Sequence, residues 1–249
     1  MKNHLEEQII SEFGSEITQK IYCKNAHAGL WESEEILIEK YFKQNSTVLD
    51  VGCGTGRTTI PMHKSGYKIT GMDIVPAMIE NARKIAETNK LKIKYEIGDA
   101  TALTYESNSF DNVLFSFNGW AQIPGQNNRL QALKEIYRVL TPDGYFIFTS
   151  LIRSTVGFKF FWIRKWIRIN ILKPLGLKIV EVDFGDLFFY RKDGEKQYSQ
   201  KQFMHFHSKT EVKRQLVKAG FKLIFFERGN IISDKDTGEA PPMFFVCKK

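Results

Sequence analysis

What this chain lacks narrows its class before any motif is read. Cysteine is scarce: Cys23, Cys53 and Cys247 are scattered and odd in number, which fits a reducing compartment and excludes a disulfide framework. No uncharged apolar run approaches the length of a membrane span. The opening Met1-Lys-Asn-His-Leu-Glu-Glu is charged and helical in character, so no signal peptide is expected and the expected location is cytoplasmic. Repeats and low-complexity tails are missing as well. At 249 residues the chain makes one domain, or one domain with an elaborated insertion, and is long enough to bury a large core.

Acids are missing from one stretch. The chain carries 36 Lys or Arg against 28 Asp or Glu, a net of +8. Seven of those cations lie between Arg153 and Lys178, where there is no acid, so the other residues carry only +1 (eight less seven). The basic character is local, which excludes a global nucleic-acid coat.

Around Val48-Leu-Asp-Val-Gly-Cys-Gly-Thr-Gly-Arg57 the chain does have a pattern. A short apolar run reads as a buried strand, residues 47–52. Glycines follow at alternate positions, Gly52, Gly54 and Gly56, and a helix is expected from about 57 to 65. A strand, a glycine turn and a helix N-terminus together form a ligand platform. The third glycine of a dinucleotide fingerprint is absent, because Arg57 stands there. Asp50, two residues before the first glycine, would repel a pyrophosphate and suits a cationic ligand. Tyr67-Lys-Ile-Thr-Gly-Met-Asp73 reads as the second strand, and its terminal acid is placed to accept both hydroxyls of a ribose. Ile74-Val75-Pro76-Ala77-Met78 leads into a helix reaching about Asn89.

These segments resemble the class I S-adenosylmethionine-dependent methyltransferases. So does Leu-Thr-Pro-Asp-Gly-Tyr-Phe at 140–146, although Asp143 stands where the family usually has a second glycine. The resemblance is strong over about 33–150 and loose over 203–248. It implies an α/β fold: a Rossmann-like doubly wound seven-stranded sheet, mostly parallel with an antiparallel last strand, helices on both faces and an inserted lid after the fifth strand. Four segments are expected: a helical cap at 1–45, the cofactor-binding core at 46–150, an insertion at 151–207 and the last part of the core at 208–249. The cofactor implied is S-adenosyl-L-methionine, with S-adenosyl-L-homocysteine as product. Its contacts are expected at Asp50, Gly52, Cys53, Gly54, Gly56, Asp73, Ile74, Met78 and Ser116, and at Tyr22 in the N-terminal cover. Asp99 and the Ala100 backbone are expected at the adenine edge.

Outside the glycine motif, residues 4–20 read as one amphipathic helix, Tyr22 to Trp31 as a loop, and Ser33 as the cap of the next helix. Leu91 to Ile97, Phe110 to Phe117 and Tyr145 to Ser150 read as strands three to five, with a turn at Thr141–Gly144 and a helix over 127–140. Asn118, Trp120 and Gln122 follow the fourth strand, where open α/β sheets place reactive groups, and are acceptor-site candidates together with Trp31 and Tyr198. This loop does not read Asn-Pro-Pro-Tyr, the family signature for methylating exocyclic base amines.

Val156–Leu172 is aromatic and basic. It reads as a cap helix, a pocket for an acidic or apolar substrate, or a peripheral anchor on an anionic membrane. Residues 177–190 look strand-like, with Asp193-Gly194 as a hairpin signal. His205 and His207 alternate and face the same way on a strand. They are candidates for a general base. As metal ligands they lack an evident third partner nearby, and no metal is expected. Ser208-Lys-Thr-Glu211 is a capping box for a helix ending at Gly220, and 221–227 with 243–248 read as an antiparallel pair around a polar loop. Methyl transfer to an O or N of a small molecule is the leading reading. A peptide or tRNA acceptor on the basic insertion, and a cofactor-binding protein without transfer, are the alternatives. Oligomeric state is not written in the sequence.

Overall fold

The computed structural model describes residues 4–154, 156–190, 192–193, 196–197, 201–236 and 241–249. Its centre is a seven-stranded sheet. In chain order the strands are β1 (Thr47–Val51), β2 (Lys68–Asp73), β3 (Lys94–Ile97), β4 (Phe110–Phe115) and β5 (Leu140–Ser150), then β10 (Lys222–Arg228) and β11 (Met243–Lys248). They lie side by side in the order β10-β11-β5-β4-β1-β2-β3. The first five are mutually parallel, and β11 runs antiparallel to both β5 and β10. The order reverses between β1 and β4, which opens the crevice where such sheets bind ligands.

The central strands are apolar on both faces, as a sheet covered on both sides requires. Leu49, Val113, Phe146, Phe148 and Phe245 pack under α6 (Gln126–Val139) and α8 (Lys209–Ala219). Val48, Leu114, Ile147, Phe244 and Val246 pack on the other face with Leu37 and Ile38 of α3 (Glu32–Tyr41) and with Met62 of α4 (Thr59–Lys64). α5 (Pro76–Thr88) sets Ile79 and Ala82 against Tyr95 of β3.

Several boundaries differ from the sequence reading. The N-terminal helix is two helices, α1 (His4–Gly14) and α2 (Glu16–Asn25), because Ser15 caps the second through Thr18 N–H. Tyr22 therefore sits on a helix and not in a loop. Ser33 lies inside α3 and does not cap it; Trp31 N–H is held by the Glu34 carboxylate at 2.8 Å. α4 starts two residues later than expected. Thr141–Gly144 is a bulge inside β5, lying between the pairs Phe110↔Leu140 and Asn112↔Tyr145. Asp143 takes φ 65° there, the left-handed region that Asp tolerates and glycine enters freely.

Segment 151–207 holds α7 (Lys159–Ile167) and a π-helical turn at Arg168–Leu172. Two small antiparallel pairs follow: β6 (Asp186–Phe189) with β9 (Gln202–His205), and β7 (Lys192–Asp193) with β8 (Lys196–Gln197). The β7–β8 pairing agrees with the Asp193-Gly194 hairpin signal, although Gly194 and Tyr198 lie outside the described residues. Of the strand-like stretch 177–190, only β6 is a strand. Val182 and Asp183 spend their N–H groups on the Asp186 carboxylate instead of a neighbouring strand. The loop after β10 carries a short helix, α9 (Gly229–Ile232).

Asp111 joins the starts of β1 and β4. Its Oδ2 accepts the Thr47 N–H and hydroxyl, both at 2.8 Å. Asp111→Ala is expected to cost about 1–3 kcal/mol in denaturant unfolding. Because both side chains serve one contact, adding Thr47→Val should cost much less than its effect alone.

Candidate active site

The carboxyl ends of β1 and β2 build the floor of the site. Beyond Val51 the backbone turns through Gly52 (φ 65°) and Gly54 (φ 55°), conformations that favour glycine. The Asp73 carboxylate fixes the turn: Oδ2 accepts Gly54 N–H and Oδ1 accepts Val75 N–H, each at 2.9 Å. Burial pushes the Asp73 carboxyl above its ordinary range, against the pull of these N–H groups.

A cavity of about 530 Å³ opens over this floor. Gly52, Cys53, Gly54, Asp73, Ile74 and Met78 line it from below. Asp99, Ala100, Ser116 and Gln122 line it from the next strand ends, and Tyr22 and Trp31 from the N-terminal helices. Asp99 Oδ1 is held by the Thr101 N–H and hydroxyl, both at 2.8 Å.

Two expected contacts are not on the wall. Asp50 is buried beneath the turn, where its Oδ2 accepts the Thr58 and Thr59 hydroxyls at 2.6 Å and anchors the start of α4. Burial raises its pKa to about 6, although those hydroxyls and Arg57 pull it down. Gly56 (φ 97°) faces Tyr95, whose hydroxyl would lie 2.6 Å from an added Cβ. Both shape the turn from behind.

The residue that replaces the dinucleotide glycine proves to be a tether. Arg57 holds Glu34 through two nitrogens at 2.7 and 2.8 Å and donates to Gly29 O at 2.9 Å. Its guanidinium stacks 4.8 Å from the Trp31 ring and 5.6 Å from Phe117. The Ser116 hydroxyl donates to the same Glu34, and Thr55 donates to Tyr22 O at 2.7 Å. The N-terminal helices are thereby bolted to the glycine turn. Sequence reasoning missed Arg57 and Glu34, which pair at long range, and Glu6, which faces the cavity from α1. The one local signal was the Arg at a glycine position.

The two histidines stand elsewhere. Their rings do meet, with centroids 4.4 Å apart, but both are fully buried and neither lines the cavity over the glycine turn. His205 Nδ1 faces Asp186 at 2.6 Å and Nε2 faces Glu211 at 3.1 Å. Arg129 binds Asp183 at 2.7 Å, and Arg153 reaches Glu211 at 3.5 Å. Burial, which would raise Glu211, is outweighed by His205 and the two arginines, so its carboxyl sits low. His207 Nδ1 pairs with the Ser150 hydroxyl at 2.8 Å. Burial first, then the neighbouring His205, Arg129 and Arg153, hold it well below the usual imidazole range.

The third ligand-type groups that the sequence did not show are therefore present, as Asp183, Asp186 and Glu211. Each is already engaged by an arginine, a histidine or backbone N–H groups. Trp120 belongs to this interior as well. It is fully buried, stacks on His207 at 4.3 Å and donates Nε1–H to Arg129 O at 3.0 Å, so it is packing and not acceptor wall.

A second cavity of about 480 Å³ shares Trp31 and Phe117 with the first. Leu151, Phe189, Met204 and Phe244 make it apolar, and Asn118, Gln202 and Asp236 also line it.

The first cavity suits a cationic ligand. Glu6, Asp73 and Asp99 stand on its wall against one guanidinium, that of Arg57, which Glu34 neutralises. Glu6 Oε1 is buried and has no hydrogen-bond partner. A donor bearing a sulfonium and an ammonium matches that wall, whereas a pyrophosphate would face three carboxylates. Fold and cavity together define a nucleoside-binding α/β protein of the methyl-donor kind.

Comparison with known proteins agrees. A family model described as a methyltransferase domain matches residues 48–144. A demethylmenaquinone methyltransferase of Staphylococcus aureus is 34% identical over 183 residues, 72% of this chain and 69% of that relative. A SAM-dependent methyltransferase of Methanosarcina mazei superposes with a TM-score of 0.67 at 22% identity, covering 89% of this chain and 98% of that one. The 1,6-didemethyltoxoflavin-N1-methyltransferase of Burkholderia thailandensis, solved with 1,6-didemethyltoxoflavin and S-adenosylhomocysteine bound, does so with a TM-score of 0.58 at 16% identity, covering 88% and 76%. This chain belongs to the class I S-adenosylmethionine-dependent methyltransferases. It is an enzyme, and its cofactor is S-adenosylmethionine.

Asp73→Ala is expected to weaken S-adenosylhomocysteine binding at least about tenfold by calorimetry, because the turn that floors the cavity loses the carboxylate holding Gly54 N–H and Val75 N–H. The raised Asp50 carboxyl gives a pH signature. The folded chain keeps this proton to about pH 6, whereas the ordinary value is 3.8. Stability should therefore fall as pH rises from about 4 to 6, with the penalty complete above that window. Asp50→Asn should flatten this fall, by on the order of 1–3 kcal/mol in unfolding free energy measured across it.

Proposed function

We propose that this enzyme methylates an oxygen or nitrogen of an apolar, ring-bearing small molecule held in the second cavity. The observation that carries the reading is a pair of unsatisfied atoms. Asn118 Oδ1 and Gln202 Nε2 are buried without partners on the wall of that cavity. One accepts and the other donates, and each costs about 1–3 kcal/mol while unpaired. A flat acceptor with a hydroxyl and a carbonyl or ring nitrogen would meet both. Phe117 and Asn118, adjacent at the end of β4, hold φ 52° and 62°, a strain of the kind that collects at functional sites. The Staphylococcus aureus relative, named for demethylmenaquinone, supports a small-molecule acceptor.

In this reading Asp73 holds the ribose, and Asp99 with the Ala100 N–H holds the adenine edge. Gly52, Cys53 and Gly54 offer backbone to the ligand, while Tyr22, Ile74, Met78 and Ser116 pack around it. S-adenosylmethionine supplies an activated methyl group on a sulfonium. The chain's own work is to hold the nucleophile near and in line, which can supply ~7–11 kcal/mol. Trp31 and Phe117 form the partition across which the two ligands meet. Neither histidine is placed to act as base. Asp236, whose carboxylate accepts the Ser33 N–H at 2.9 Å and its hydroxyl, is the one carboxylate on the acceptor wall among the described residues and takes a proton if the acceptor arrives as a hydroxyl.

Labelled methyl transfer to a panel of apolar phenols, quinols and aromatic amines, beside peptides and tRNA, tests this. Turnover is expected among the small aromatics, and Gln202→Leu should raise the acceptor KM about tenfold or more with unchanged cofactor affinity. Turnover of tRNA or peptide alone, falling steeply with salt, would move the acceptor to the basic insertion. Tight cofactor binding with no acceptor methylated would favour a binding protein.

A further inference from the structure

Between Val156 and Val180 the chain shows solvent a surface that its own fold does not cover. Val156 is 82% exposed, Phe160 84%, Ile163 53%, Trp166 50% and Leu175 73%. Exposed apolar patches of this extent mark interaction sites. Arg153 to Lys178 also contains seven cations and no acid, and Lys159, Arg164, Arg168, Lys173 and Lys178 are exposed.

The two kinds of side chain are ordered on α7. Trp162 points inward: it is buried, packs edge-on to Phe184 at 5.7 Å and donates Nε1–H to Ser154 O at 2.8 Å. Lys165, on the same side, pairs with Glu181 and donates to Asp186 O at 3.1 Å. Phe160, Ile163 and Ile167, spaced by three and four residues, form the opposite stripe, with Arg164 and Arg168 along its edge. The helix thus turns its apolar stripe outward, on a base fixed to the body of the protein.

We propose that this surface docks on an anionic lipid bilayer, with α7 lying in the interface. An apolar stripe edged by cations is the pattern of a helix resting at headgroup depth. The nine residues of α7 are far too few to cross, and no described helix is long and apolar enough to do so. A second copy of the chain fits poorly, because it would set one acid-free basic surface against another. An anionic bilayer complements the charge and takes up apolar side chains without needing a shaped groove. The docking does not depend on which acceptor the enzyme uses. It does place the membrane near the second cavity, since the chain runs from Glu181, which anchors α7, into β6, whose Phe189 lines that cavity.

The test is flotation of the full chain with vesicles of phosphatidylcholine alone or mixed with phosphatidylglycerol. Recovery with the mixed vesicles is expected to exceed recovery with neutral ones at least tenfold, and to drop in high salt. Each cation near an anionic surface contributes about fivefold. Phe160→Asp with Ile163→Asp, and separately Lys159→Glu with Arg164→Glu, should each reduce binding at least tenfold. All four positions are exposed, so S-adenosylhomocysteine affinity should stay at the wild-type value, which shows the variants are folded. No recovery with the anionic vesicles, equal recovery with both compositions, or wild-type binding by both variants would overturn the proposal. So would a concentration-dependent dimer abolished by Phe160→Asp with no vesicle binding, which would assign the face to a second copy.

Discussion

A single carboxylate sets the geometry of the site. Asp73 closes two turns at once, accepting one N–H from the glycine turn after β1 and another from the start of α5. Almost fully buried, its charge is tolerable only while those donors face it. The constraint fixes the path of the backbone from Gly52 to Gly54 and the entry of α5, and so the floor of the first cavity. Asp50 does the same work one layer deeper, by gripping Thr58 and Thr59. Glu34 does it one layer above, where Arg57 fastens the N-terminal cover.

What was legible in the sequence follows from range. The strand–glycine–helix unit, Asp73 and the β10–β11 pair could be read because periodicity, turn chemistry and caps act over a few residues. The tether from Arg57 to Glu34 spans 23 positions and the bond from Ser33 to Asp236 spans 203, and no local pattern announces either. His205 and His207 illustrate the limit. Alternation brings their rings together, but pattern alone does not tell which way a strand faces. Pairing of β6 with β9 turns His205 toward Asp186, and His207, just beyond β9, meets Ser150, so both face away from solvent. Trp120 looked like aromatic surface in a loop, yet its indole N–H finds a carbonyl only by entering the core. The apolar run before β6 carried strand composition without a strand partner.

The polar cluster around His205 has a structural logic of its own. Its members come from α6 (Arg129), from the segment before β6 (Asp183), from β6 and β9 (Asp186, His205) and from α8 (Glu211). Buried ion pairs of this kind add little net stability, but breaking one leaves a buried charge uncompensated. The cluster therefore permits one seating of segment 151–207 on the core and penalises others. That seating brings Phe189, Gln202 and Met204 to the second cavity.

The strand order has a consequence for biosynthesis. β11, the last of the seven strands in chain order, is not an edge strand: it lies between β5 and β10 and pairs with both. Until residues 243–248 emerge from the ribosome, the flank of β5 stays bare along Phe146-Ile147-Phe148. An unpaired apolar strand is a template for pairing with a neighbouring nascent chain. Closure of the sheet thus waits on the synthesis of β11, and the interval just before it is when this polypeptide most needs chaperone cover.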